Sequence, residues 1–455
     1  MMKNFLKNHL EKRSLYTKAM IIAWPAVLEA FFVAIAGMID TAMVSTLGPV
    51  AVAAVGLTNQ PKFLFLGPIF AVATAVSALV SRRYGEEKRK EANQTLVTAG
   101  LITLVLIIAV MVICLLFSNP IIRFSGGNQE TQALADAYFR IIMGSNFFLS
   151  ITIIINAAQR GTGNTRVAFN TNFASSLVNI CFNYLLIKGH LGFPALGVPG
   201  AAFATVLGTI VGFFMSLYSL MKRNSYVQLS YIFRHRLLAV RSIMGSILTL
   251  GSNVAAEEFL MRIGFMATAI IAARISTDAF AIHSVTMNLL NLGFSFSLGM
   301  ETAAMTLTGI SLGAGKKDRA ISYGRVCQQI GLLMAILLSI VIFFFDNAYF
   351  RLHFDDPGTI ASGVVLCRYV MVIVLFQIQQ VVYGGVLRAA GDVKYTLISS
   401  TLSVTVIRTA VTILLVYQFH LGLHGIWLGV FCDQASRYLL FLWRFRQGKW
   451  VEIKI

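Results

Sequence analysis

Leu47-Gly48-Pro49-Val50-Ala51-Val52-Ala53 and Ile275-Ser276-Thr277-Asp278-Ala279-Phe280-Ala281 are two versions of one turn, 228 residues apart. The offset holds across residues 40–92 and 268–320, where Ala75, Leu79, Gly85, Lys88 and Ala92 fall on Ala303, Leu307, Gly313, Lys316 and Ala320. It also sets Arg160-Gly161-Thr162-Gly163-Asn164 on Arg388-Ala389-Ala390-Gly391-Asp392. A small slip then aligns Leu196-Gly197-Val198-Pro199-Gly200 with Leu421-Gly422-Leu423-His424-Gly425. Two copies of one design in an apolar chain are the sequence mark of a transporter, with the substrate expected where the halves meet.

The 455 residues are 57% hydrophobic and 12% charged, and the mean hydropathy is +0.75. No soluble domain hides that much apolar surface. Twelve apolar runs, six in each half, reach or exceed the roughly 20 residues that cross a bilayer. They lack strand alternation, so the expected fold is an all-α membrane protein. The halves are read as an N-lobe over 1–221, an inter-lobe linker over 222–239 and a C-lobe over 240–455.

The net charge of +18 does not point to nucleic acid, because the basic residues sit in alternate loops. They gather at the N-terminus, at Arg82–Arg83 and Lys88–Lys90, over 222–241, at Lys316–Arg319 and in the tail. The positive-inside rule then places both termini and the 222–239 linker in the cytoplasm of a multi-pass plasma membrane protein. The first apolar run reads as a span and not as a cleaved signal. The five cysteines, Cys114, Cys181, Cys327, Cys367 and Cys432, are scattered within spans without metal spacing.

Ionisable side chains inside spans are costly and mark function by default. Asp40 lies in the outer half of span one. Asn179 and Asn183 of span five are spaced i,i+4 on one helical face, and counting along each span puts all three at similar depth. One carboxylate and two amides suit a proton or a small hard cation, or equally a structural cap with helix-to-helix bonds. Desolvation favours the neutral form of a carboxyl group, and neither amide opposes that with positive charge. Glu29 shares a helical face with Asp40 and falls on Glu257 at the offset of 228. Glu29, Glu257, Glu258, Glu301 and Arg408 are candidates for a substrate cleft or a secondary ion site, with Arg408 a counter-charge to the glutamates. Glu258–Arg262 and Asp136–Arg140 are i,i+4 and suit simple neutralising pairs. Asp433 completes the set. Pro25 either kinks span one or sits harmlessly near its start.

Enzyme motifs are weak. Gly309-Ile310-Ser311-Leu312-Gly313 closes a span instead of following a strand. Gly315-Lys316 lacks the glycine five residues earlier that a phosphate loop needs. The chain therefore reads as no enzyme and without cofactor, with energy drawn from an ion gradient.

Asp40-Thr41-Ala42-Met43-Val44-Ser45-Thr46-Leu47-Gly48-Pro49, Gln159-Arg160-Gly161-Thr162-Gly163-Asn164-Thr165-Arg166 and Leu191-Gly192-Phe193-Pro194-Ala195-Leu196-Gly197-Val198-Pro199-Gly200 resemble the multidrug and toxic compound extrusion (MATE) family. The pattern is most like the branch named for DNA-damage-inducible protein F. The resemblance implies two pseudo-symmetric lobes of six helices around a central cleft. It also implies efflux of amphipathic, often cationic, compounds in exchange for H⁺ or Na⁺, by a functional monomer among membrane lipids. The family's N-lobe cation site carries over to Asp40, Asn179 and Asn183. Some members have an aspartate where Asn183 stands. Members with a C-lobe sodium site pair a span-seven glutamate, here Glu257 or Glu258, with a span-ten aspartate, where this chain has Gln380. A flippase for lipid-linked precursors is the reading from another class, and it would call for several cations in the cleft.

Overall fold

The computed structural model describes the backbone of residues 2–455 and the side chains of 13–455 apart from Thr277. Among the described residues there is helix and no strand. In the first half, α1 (Met2–Ser45), α2 (Pro49–Gly85) and α3 (Arg89–Leu116) are followed by a short α4 (Ser118–Phe124). Then come α5 (Gln132–Gly144) with α6 (Asn146–Gly161), α7 (Thr165–Lys188), α8 (Val198–Met221) and a short α9 (Leu229–Arg234). The second half holds α10 (Arg241–Ile275), α11 (Thr277–Gly313), α12 (Lys317–Arg351) and α13 (Pro357–Ala390). Its fifth rod runs over 393–418 and contains α14 (Val393–Ser400) and α15 (Thr409–Ile413), and its sixth is α16 (Gly422–Gln447). Taking α5 with α6 as one rod gives twelve spans among the described residues, six in each half.

The ends of these rods follow from local chemistry. α2 starts at Pro49, whose missing N–H costs nothing in the first turn, after Gly48 at φ 103°. At the repeat-related place α11 is instead capped by the Ser276 hydroxyl, which accepts from the Ala279 N–H at 2.9 Å. α5 and α6 meet at a 49° bend. There the Ser145 hydroxyl donates to the carbonyls of Ile141 and Ile142 at 2.8 and 3.1 Å and competes with the helix ladder. Pro25 lies well inside α1, more than twenty residues from its start, so the harmless-start reading does not apply.

The fifth rod of the second half contains π-helical turns over Thr401–Arg408 and Leu414–Gln418. Its first-half counterpart α7 is an unbroken α-helix. A π turn holds an extra residue, so the pairing of the halves shifts by one beyond it.

The chain forms two compact units, Leu28–Ala255 and Met1–Val27 with Ala256–Ile455. Both boundaries fall within helices, in α1 and in α10. They obey the repeat, since 28 + 228 = 256. The stretch over 222–239 belongs to the first unit. Arg89 donates to the Tyr226 and Ser225 carbonyls at 3.0 and 3.1 Å and to Gln228 at 2.9 Å, and the Gln228 N–H donates to Asn93 at 2.9 Å. In the second unit Lys317, the repeat counterpart of Arg89, binds Glu452 of the C-terminal tail at 2.6 Å. Buried Trp450 of that tail stacks on Phe445.

Candidate functional site

In the first unit α1 and α7 bring Asp40 and the two asparagines together. Asn183 donates from Nδ2 to Asp40 Oδ1 at 2.6 Å and, more weakly, to Asn179 Oδ1 at 3.4 Å. Asn179 in turn donates to Thr205 Oγ1 of α8 at 3.1 Å, and Tyr138 of α5 hydrogen-bonds Thr205. Asn183 is fully buried and Asp40 half-buried. Spacing and depth in the sequence anticipate this constellation. They do not anticipate Lys62 of α2, whose ammonium, bonded to Asn59 Oδ1 at 3.2 Å, interacts electrostatically with Asp40. The two amides bring Asp40 no positive charge, as the sequence reading has it, but Lys62 does. A lone lysine inside an apolar run is easily passed over, because its long stem packs like a hydrocarbon.

The glutamates fall into two repeat-related clusters. Arg160 donates to Glu29 Oε1 at 2.9 Å, and Asn172 Nδ2 donates to the same oxygen at 2.7 Å. In the second unit Arg388 donates to Glu257 Oε1 at 2.8 Å, and Ser400 donates to that oxygen at 2.7 Å. All three members correspond at 228: Glu29 to Glu257, Arg160 to Arg388, Asn172 to Ser400. The second cluster adds Thr396, which donates to Glu257 Oε2 at 3.0 Å, and Glu301, which also binds Arg388. Glu301 stands where the first half has Ala73. Gly385 stands where it has Ala157 and makes room, because a Cβ there would lie 2.7 Å from Glu301 Cγ. Glu258 is exposed and feels the charges of Arg388, Arg262 and Arg437. Asp136 and Arg140 form the i,i+4 pair at 2.8 Å.

The counter-charge of Glu257 and Glu301 is thus Arg388 and not Arg408, and that of Glu29 is Arg160. Arg408, fully buried, donates from Nε to Thr268 Oγ1 at 2.9 Å and lies 3.6 Å from Asp433. The repeat held the signal for Arg160 and Arg388, since a glutamate and an arginine recur together at one offset. Gln380 is buried and donates to Gln434 at 3.2 Å, so its amide meets another amide and no carboxylate.

The same two-fold construction is found in a family. The MatE family model matches residues 25–185 and again 254–414. The chain belongs to this family of membrane transporters and is a multi-pass membrane protein. It is 28% identical over 454 residues to a probable multidrug resistance protein NorM of Thermotoga maritima, covering 98% of this chain and 96% of that one. It is 24% identical over 437 residues to the uncharacterized transporter YisQ of Bacillus subtilis, covering 95% and 94%. Among solved structures, the outward-facing conformation of a multidrug resistance MATE family transporter superposes with a TM-score of 0.87 at 22% identity, over 96% of this chain and 97% of that one.

Proposed function

We propose that the protein is a cation-coupled multidrug efflux antiporter, driven by protons through Asp40 and exporting amphipathic, often cationic, compounds by alternating access. The carrying observation is the 2.6 Å bond from Asn183 to a half-buried Asp40. A carboxylate held by an amide, with hydroxyls behind and one lysine in range, can exchange a proton without dismantling its surroundings. Proton and cationic cargo then compete for one negative charge, which is the reciprocity that exchange requires. Relatives named as multidrug resistance proteins support the cargo class. The basic loops support a plasma membrane location with cytoplasmic termini. The protein acts as a monomer and needs no cofactor beyond its coupling ion. The residue pattern places it nearest the branch named for DNA-damage-inducible protein F. The bonding of Gln380 to Gln434 speaks against a sodium site in the second half.

Proteoliposomes with a pH gradient or a Na⁺ gradient imposed separately test the reading. The pH gradient alone should drive transport, and Asp40→Asn, which keeps shape and fixes the neutral state, should insert normally yet lose at least about tenfold of that transport, a loss of more than about 1.4 kcal/mol of coupling. Lys62→Gln should move the pH profile to higher pH, because the carboxylate loses its nearby positive charge. Transport driven by Na⁺ alone, or full activity in Asp40→Asn, would sink the proton mechanism.

A further inference from the structure

In the second unit the counterpart of the Asp40 site carries the opposite charge. Asp40 falls on Thr268 at the offset of 228, and Gly208 of α8 falls on Asp433 of α16 at 225. Gly208 faces Asn179, with an added Cβ only 3.2 Å from the Asn179 Cβ, while Asp433 lies 3.6 Å from Arg408. Arg408 therefore occupies the place of Asn179, one residue further along because of the π turn, and Thr412 the place of Asn183. The bond that ties α7 to Asp40 becomes the bond from Arg408 Nε to Thr268.

Around Arg408 the second half also replaces apolar side chains by polar ones. Val55 and Ala202, which share an apolar cluster in the first unit, correspond to His283 and Trp427, whose rings lie 5.7 Å apart. His283 is near enough to feel the charge of Arg408. Gly429 keeps the helices close, since a Cβ there would stand 2.1 Å from Thr412 Oγ1 and 3.1 Å from the Arg408 carbonyl.

Two guanidinium groups share one carboxylate here: Arg437 Nη2 binds Asp433 at 2.9 Å and Arg408 Nη1 approaches it at 3.6 Å. Glu258 of α10 acts on Arg437 electrostatically. On the Arg408 side the neighbours are Thr268 and the Phe265 ring, 4.9 Å from the guanidinium. Arg408 Nη1, Trp427 Nε1, His283 Nδ1 and Thr412 Oγ1 are buried and have no hydrogen-bond partner among the described residues. Native proteins seldom leave such groups unpaired, and the Arg408 and Trp427 nitrogens, which can only donate, suit an acceptor that is itself negative.

We propose that Arg408, with Thr412, His283 and Trp427, forms a binding site for a small monovalent anionic group, a free halide or the carboxylate of a transported compound. The two halves then hold complementary sites, acidic at Asp40 and basic at Arg408.

Purified full-length protein is melted in sodium chloride, sodium bromide and sodium gluconate at matched pH and ionic strength. The halides should raise Tm saturably over gluconate. Arg408→Lys should keep the rise, and Arg408→Gln and Trp427→Phe should lose or weaken it. The parent's own tryptophan fluorescence, titrated with bromide against gluconate, gives a second readout that needs no variant, and a saturable quench that disappears in Trp427→Phe is expected. The source of the anion is separated by competition in proteoliposomes between an amphipathic carboxylic acid and its methyl ester. Preference for the acid that depends on Arg408 places the anion on the cargo, and a response confined to halides makes it a free ion. Equal melting in chloride and gluconate, with no saturable quench and no preference for acid over ester, would overturn the site.

Discussion

The clusters around Arg160 and Arg388 are built alike, whereas the sites around Asp40 and Thr268 are built from opposite charges. At the first pair of places a glutamate, an arginine and a short polar side chain recur at one offset with bonds of 2.7–2.9 Å. At the second pair the carboxylate and amide of one half are replaced by a hydroxyl and a guanidinium at the corresponding places of the other. What the repeat keeps, both halves need in order to fold. A buried glutamate beside the end of a neighbouring rod requires its arginine wherever it occurs. What the repeat changes is free of that demand and belongs to the separate task of each half.

The largest effect should come from breaking the conserved pair where it is most buried. Arg388→Met strands both Glu257 and Glu301 and should cost about 3–5 kcal/mol, enough to remove folded protein from the membrane. Arg160→Met strands only the less buried Glu29 and should cost about 1–3 kcal/mol. Detergent-stable yield and Tm measure both, and equal losses would show that Glu301 adds nothing to the second cluster.

The difference between the clusters can itself be reversed. Gly385→Ala drives a methyl into Glu301 and should lower stability by about 1–3 kcal/mol. Adding Glu301→Ala removes the Cγ but leaves the Glu301 carbonyl oxygen, 2.9 Å from the same Cβ, and should recover only part of the loss in Tm. A double variant as unstable as the single one would refute the pairing of Gly385 with Glu301.

Much of this was open to sequence reading, for identifiable reasons. The spans are long apolar runs, and the recurring turn at Gly48 and Ser276 fixes two halves. Asp40, Asn179 and Asn183 could be grouped because one helical face and equal depth constrain them. Lys62 escaped because one charge hardly alters a hydropathy run. Arg160 and Arg388 escaped because they lie at helix ends, where arginine ordinarily faces water, and only packing turns them inward. The one-residue shift that brings Arg408 level with Asn179 depends on a π turn, which leaves no compositional mark.

The smallest effect concerns the turns after α2 and α11. Glu87 and Gly315, repeat partners, both have positive φ, 59° and 70°. A non-glycine residue there is strained by about 1–2 kcal/mol, and the greater freedom of unfolded glycine takes back about 0.5–1 kcal/mol. Glu87→Gly should therefore raise Tm slightly and Gly315→Glu lower it. The first turn also holds Glu86, bound by Arg83 at 2.8 Å and Lys88 at 3.1 Å. Burial pushes its carboxyl up, but these two cations outweigh burial and hold it below the usual range. Its stabilising contribution is complete above the ordinary glutamate value of about 4.3 and is lost as pH falls through the lower folded value. Hydrogen exchange over 84–91 should accelerate in acid before that over 312–319, and parallel behaviour of the two turns would remove Glu86 from the account.

The boundaries at 27/28 and 255/256 also set a timetable for biosynthesis. The opening segment of the chain emerges first but belongs with residues from Ala256 onward, 229 positions later (256 − 27). At about 5–20 residues per second it waits roughly 10–45 s for the first of its proper neighbours. The first unit is likewise incomplete until residues 241–255 have been made. The second unit therefore depends on a segment made first, whereas the first is finished once Ala255 has left the ribosome, and a gene cut between the repeats would part each unit from helix turns that belong to it.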